Sequence, residues 1–178
     1  MQSVDTLDIM AALAESHRLA VSIEHMGFVR HFHFCDIFGD CLLFALAVAR
    51  ENAKKTAPGQ VRFIESDLFE NLAGEKFDLI AANLPYVTES EHLTLSPEVK
   101  LFEPKLALTS GEDGLDLIRK TVKKAAEYLA PHGSIILEMS SGQTETVAKL
   151  FCETLQYCAI EIKKDYTDRN RFVAARLR

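Results

Sequence analysis

Phe77-Asp78-Leu79-Ile80-Ala81-Ala82-Asn83-Leu84-Pro85-Tyr86 is the stretch whose reading decides the fold. Its first six residues are mostly apolar and lead into a polar residue and then a proline. That is the pattern of a buried parallel strand running into a loop. Pro85 fixes its own φ, donates no hydrogen bond and pushes Leu84 out of the helical region, so the loop is stiff. A stiff loop at the carboxyl end of a buried strand is where open α/β sheets bind ligands.

The side chains of this quartet suit a planar NH2 group. An amide nitrogen is a poor nucleophile because its lone pair is delocalised into the carbonyl. A site that accepts hydrogen bonds from both of its protons orients the nitrogen and favours a geometry with a freer lone pair. The Asn83 side-chain oxygen and the Leu84 backbone carbonyl are the two candidate acceptors, and Tyr86 offers an aromatic face on which the flat group can pack. Four letters alone are also what a strand followed by a proline turn looks like, so the surroundings must separate the two.

Outward from the quartet, strands and helices alternate. Apolar residues at helical spacing (Ile9, Leu13, Ala20, Val21) predict a helix over Asp8 to His25. Residues Val29 to Ile37 alternate and predict a strand ending at Asp36. A Leu- and Ala-rich helix is expected from Cys41 to Lys55, and Val61-Arg62-Phe63-Ile64 is a short strand with Asp67 just past its end. Val87 to Asp113 shows little periodicity and reads as a long irregular loop, of the kind that is usually functional. Asp116 to Leu129 predicts an amphipathic helix closed by Pro131-His132-Gly133. A strand over Ser134 to Met139, a helix over Thr144 to Leu155 and two strands, Cys158 to Lys163 and Arg171 to Leu177, complete the chain. This alternation predicts one domain, residues 1–178, built on a doubly wound, mostly parallel α/β sheet with a terminal antiparallel strand.

Composition narrows the setting. The 178 residues are 48% hydrophobic and 26% charged, and the formal net charge is -6, which supplies no general pull toward nucleic acid. No apolar run approaches the roughly eighteen residues of a membrane span. The first residues, Met1-Gln2-Ser3-Val4-Asp5, do not read as a secretory signal. The four cysteines form no CxxC pair, so reduced thiols and a cytoplasmic location are expected. His31 and His33 share a strand face but lack a third ligand at metal spacing, and no metal site is expected.

Asp36 and Asp67 end successive strands, where carboxylates accept from ribose hydroxyls or an exocyclic amine. Glu138 ends a strand as well, and turn-forming and functional roles weigh about equally for it.

Several blocks, in order, resemble the protein-(glutamine-N5) methyltransferases that modify peptide chain release factors, the HemK family. They are Ala49-Arg50-Glu51-Asn52-Ala53, Ser66-Asp67-Leu68-Phe69, Phe77-Asp78-Leu79-Ile80 with Asn83-Leu84-Pro85-Tyr86, Glu103-Pro104-Lys105-Leu106-Ala107-Leu108, Gly111-Glu112-Asp113-Gly114-Leu115 and Asp168-Arg169-Asn170-Arg171-Phe172. The resemblance runs from about Ala47 to Arg178 and implies the catalytic domain only. It implies a Rossmann-like class I fold, S-adenosylmethionine as cofactor and a release factor as protein partner. It places the substrate amide on Asn83, Leu84, Pro85 and Tyr86 with Glu103 nearby, and assigns catalysis to Asn83, Pro85 and Tyr86. It places the cofactor on Asp36, Asp67, Leu68 and Asn83.

Two departures stand out. Leu84 replaces the family's usual proline, which leaves the backbone carbonyl in place. The family's glycine-rich loop after the first strand has no counterpart: Met10-Ala11-Ala12-Leu13-Ala14 follows Leu7-Asp8-Ile9 without a glycine. Side chains there obstruct close approach of a ligand to the backbone, so a weak hold on the cofactor is expected. Two other functions compete. One is methylation of an exocyclic base amine through the same Asn-x-Pro-Tyr loop, and the acidic balance and the Glu103 to Leu115 block argue against it. The other is a methyltransferase-like domain without catalysis.

Overall fold

The structure is a computed structural model and describes residues 19–26, 29–36, 50–55, 58–59, 61–64, 66–103 and 105–178. Among these, seven strands form one sheet in the order β3-β1-β2-β4-β5-β7-β6. They are β1 (Leu19–Met26), β2 (Val29–Asp36), β3 (Val61–Ile64), β4 (Phe77–Asn83), β5 (Leu129–Glu138), β6 (Tyr157–Lys164) and β7 (Asn170–Leu177). The pairs β2/β4 and β4/β5 are parallel. β1 and β7 run against the other five, so both of β1's pairings and both of β7's are antiparallel. β7 is the expected antiparallel strand, and it lies between β5 and β6.

Residues 50–55 are helical, and Glu51 pairs with Lys54 and Lys55 on their exposed face. Among the described residues five further α-helices are α1 (Glu89–His92), α2 (Pro97–Phe102), α3 (Lys105–Leu108), α4 (Asp116–Ala125) and α5 (Thr144–Glu153). α4 buries Ile118, Thr121, Val122 and Ala125, and α5 buries Thr144, Val147 and Phe151. These positions recur at three and four residues, the stripe that packs a helix on a sheet. Between them Tyr157 is buried edge-on to Phe151, with ring centroids 4.9 Å apart and planes at 87°. Its hydroxyl donates to the Val122 carbonyl at 2.8 Å. Burial pushes that phenol up to about 12.

Four expectations are corrected. The helix predicted over Asp8 to His25 is not formed where it is described: residues 19–26 are β1, and residues 8–18 lie outside the described residues. Leu19-Ala20-Val21-Ser22-Ile23-Glu24 alternates with period two and carries β-branched residues, and pairing on both sides, with β2 and β3, stabilises it as a strand. The stretch Val87 to Asp113 is not irregular throughout, for it holds α1, α2 and α3. α1 starts in a capping box: Thr88 Oγ1 accepts from Glu91 N–H at 3.0 Å, and Glu91 Oε2 accepts from Thr88 N–H at 3.0 Å. The helix predicted to reach Leu129 stops at Ala125. Pro131-His132-Gly133 then lies inside β5 as an excursion, because the register with β4 jumps from Phe77↔Leu129 to Leu79↔Ser134. A proline has no N–H for the ladder, and His132 at φ +62° turns the chain back.

The expected first strand at Leu7 to Ile9, the loop at Met10 to Ala14 and the start of the helix at Cys41 lie outside the described residues. No helix among the described residues is long and apolar enough to cross a membrane.

Candidate active site

The carboxyl ends of β2, β4 and β5 make a row. Asp36 is the register partner of Asn83, and Asn83 of Glu138. Glu138 in turn faces Phe172, next to Arg171, on β7. β3 points the same way, with Ile64 beside Ala20 of the opposed β1, so Asp67 lies past its end on the same edge of the sheet. The sequence-predicted Asp36, Asp67 and Asn83 thus share one edge, with β1 between the strands of the first two.

β4 delivers the quartet because its apolar face is buried. Phe77, Ile80, Ala81 and Ala82 are almost fully enclosed, and Leu84, at 1% exposure, anchors the loop in the same core. Pro85 is buried, while Asn83 and Tyr86 are half-buried at the cleft edge.

Past Tyr86 the chain is braced by backbone and side-chain bonds from distant residues. Val87 N–H donates to the Leu108 carbonyl at 2.9 Å, and Ser110 N–H returns to the Val87 carbonyl at 3.3 Å. Gln143 Nε2 donates to the Tyr86 carbonyl at 2.9 Å and to the Asp113 carbonyl at 3.1 Å, while its Oε1 accepts from Ser140 N–H at 3.2 Å. Gly114, at φ +74°, allows this approach: a Cβ there would lie 2.1 Å from the Tyr86 carbonyl oxygen.

The Gly111–Leu115 block is therefore a cradle for the Tyr86 backbone. It is held to α4 by Asp113, which accepts from Leu115 N–H at 3.1 Å and pairs with Arg119 through both carboxylate oxygens. The Arg119 hydrogen bond holds the Asp113 carboxyl below the usual range.

The Tyr86 ring is held from the other side. Arg171 Nη2 donates to its hydroxyl at 3.0 Å and to Glu138 Oε1 at 3.0 Å. The guanidinium carbon sits 5.4 Å from the ring centroid. Burial works against the Arg171 charge, but Tyr86 and Glu138 outweigh it and hold the guanidinium above its usual value.

Asp67 is exposed and its carbonyl caps a turn by accepting from Glu70 N–H at 3.1 Å. Leu68 is 7% exposed and takes φ +50°, which turns the chain sharply beside that carboxylate. Glu103 is exposed at the end of α2, where its N–H donates to the Val99 carbonyl at 2.9 Å, and no described hydrogen bond joins it to the quartet. Among the described residues no three His, Cys, Asp or Glu side chains cluster as metal ligands. A groove of about 420 Å3 between α4 and α5, lined by Arg119, Val122, Leu150 and Thr154 among others, includes no residue of the Asn83–Tyr86 quartet and neither Asp67 nor Glu103.

Sequence reading did not find the bracing roles of Gln143 and Arg171. Arg171 stood within a family-like block and Glu138 at a strand end, which was the available signal. Nothing local connects either to Tyr86.

By sequence, the relatives of the chain are methyltransferases. Over 133 residues it is 39% identical to release factor glutamine methyltransferase of Geobacter sulfurreducens, a match spanning 75% of this chain and 46% of that protein. It is 42% identical over 132 residues to release factor glutamine methyltransferase of Deinococcus radiodurans, spanning 74% and 46%. It is 47% identical over 100 residues to ribosomal protein uL3 glutamine methyltransferase of Francisella tularensis, spanning 56% and 32%. The chain thus spans about half, or less, of the length of these relatives. No protein-family model matches it. Among solved structures it is similar to a possible exported protein from Bordetella parapertussis, with TM-score 0.50 at 12% identity over 82% of this chain and 52% of that one, a likeness of fold alone.

Proposed function

We propose that this chain is the catalytic part of an S-adenosylmethionine-dependent methyltransferase acting on the side-chain amide of a protein glutamine, with a peptide chain release factor as its partner. The observation that carries the reading is the braced Asn83-Leu84-Pro85-Tyr86 loop at the carboxyl end of β4, supported by similarity to enzymes whose names share the glutamine. Those names differ in the protein modified, a release factor in two and ribosomal protein uL3 in the third, so the amide is the common element.

The Asn83 side-chain oxygen and the Leu84 carbonyl accept the two N–H protons of the glutamine amide and turn its nitrogen outward. Tyr86 and Pro85 wall the slot and keep it dry, so the contribution is mainly positioning and exclusion of water. No general base is needed before the methylated nitrogen sheds its extra proton. The donor set on the edge fits the adenosine half of the cofactor: Asp67 presents an exposed carboxylate to an amine, Leu68 packs beside it, and Asp36 stands on the same edge for ribose hydroxyls. S-adenosylmethionine supplies an electrophilic methyl group. Glu103 is assigned to the approach of the substrate chain.

Labelled methyl transfer from saturating cofactor tests this, with a release factor, ribosomal protein uL3 and single-stranded DNA offered in parallel. Label on a glutamine of the release factor is expected. Label on DNA alone would replace the reading with base-amine methylation, and no transfer to any acceptor would leave a binding domain.

A further inference from the structure

Arg171 reaches Tyr86 in two ways at once, by a hydrogen bond of 3.0 Å to its hydroxyl and by lying over its ring, 5.4 Å from the centroid. Its own position is fixed by two contacts and by burial. Glu138 pairs with it at 3.0 Å, its carbonyl accepts from Met139 N–H at 2.9 Å, and its side chain retains only 25% exposure. The three residues come from the loop after β4, the end of β5 and the start of β7. An aromatic ring held at its tip, with a cation on one side, is restricted in orientation, and its other face is the freer one for a planar group.

We propose that Arg171 is a positioning residue: it holds the Tyr86 ring by hydroxyl and face, so that the opposite face forms the wall of the slot in which Asn83 and Leu84 hold the substrate amide. This rests on the amide reading of the loop and adds the group that sets the wall. Glu138 orients the guanidinium and cancels its charge, so the wall adds no net repulsion toward a cationic methyl donor.

The test uses the full chain labelled with fluorotyrosine. With four tyrosines in the sequence, up to four fluorine NMR signals are expected, and Tyr86→Phe identifies the one from Tyr86. In Arg171→Met the Tyr86 signal is expected to move toward its position in the unfolded chain, while those of Tyr128 and Tyr157 stay. Arg171→Lys, which keeps the charge but cannot cover the ring and reach two oxygens together, is expected to give a smaller move in the same direction. If Arg171→Met fails to fold, with the Tyr128 and Tyr157 signals lost, Arg171→Lys decides by the same signal. A Tyr86 signal unchanged in the folded variant overturns the proposal.

In methyl transfer to a glutamine peptide, Arg171→Met should lower kcat by about ten- to a hundredfold, the scale of a small misplacement, with KM for S-adenosylmethionine within about twofold of its original value. Equal loss in both constants overturns the positioning role. A parent chain that methylates no glutamine overturns the amide reading and the purpose given to the wall, even where the Tyr86 signal moves.

Discussion

Asn83 is half-buried at the end of β4, where its neighbours in the core fix the backbone that carries it. Asn83→Ala should leave affinity for S-adenosylmethionine nearly unchanged by calorimetry and remove most of the transfer rate. One oriented acceptor lost from a closed site is worth on the order of 2–4 kcal/mol, as with loss of an oxyanion-hole donor. Loss of cofactor binding in that variant would show that the residue serves the cofactor instead. Two glycines make a sharper comparison. Gly111 and Gly114 both have positive φ, +79° and +74°. A Cβ at Gly111 meets the movable Asp116 carboxylate, whereas one at Gly114 meets the Tyr86 backbone carbonyl. Both alanine variants pay about 1–2 kcal/mol for the backbone conformation, and Gly114→Ala should cost more beyond that. Denaturant midpoints shifted equally in the two would show that the cradle tolerates the extra carbon. The Gly-Glu-Asp-Gly-Leu block was visible in the sequence, but its contact with Tyr86 was not, since that contact depends on a loop closing over nearly thirty residues.

Among the elements, Val61–Ile64 and the strand at Phe77 were legible because short apolar runs bounded by polar residues have few other readings. β1 was not: its alternation is short, and a helical spacing borrowed from Ile9 and Leu13 obscured it. α1 and α3 have four residues each and α2 six, too short for periodicity to show, although the Thr88–Glu91 box was there to be read. The excursion in β5 looked like a helix stop because proline and glycine punctuate both. α1 buries no residue, so its order depends on its cap. Thr88→Ala should cost about 1 kcal/mol, felt locally: amide exchange at residues 89–93 should quicken while that of Phe77–Asn83 stays unchanged. Equal acceleration in both segments would tie α1 to the core more tightly than its exposure indicates.

At the scale of the molecule, the acid response follows from five carboxylates, among the described residues, held below their ordinary values. These are Glu91, by hydrogen bonds from Thr88; Glu98, by its own backbone N–H; Asp113, by its bond with Arg119; Glu161, by its bond with Lys163; and Asp165, by its bond with Thr167. A lowered carboxylate contributes stability above its unfolded value and loses it as pH falls through the folded one. The thermal midpoint should therefore hold down to about pH 5 and decline below about pH 4, near the free carboxylate values. The decline should be modest, because all five are exposed or nearly so. A steep loss at roughly neutral pH would point to other groups. Cofactor affinity is the second whole-chain expectation. Without glycines at Met10–Ala14, each lost backbone contact costs about 1–3 kcal/mol, and two together weaken binding a hundredfold or more. A dissociation constant in the low micromolar range on this chain would refute that.

The insertion of β7 between β5 and β6 bears on the order in which the protein is made. A ribosome releases β5 and β6 first, as neighbours separated by a gap one strand wide, and β7 fills it afterwards. Arg171 lies in that filling strand, 85 residues after Tyr86. A nascent chain thus carries the four letters of its loop long before it carries the brace for them.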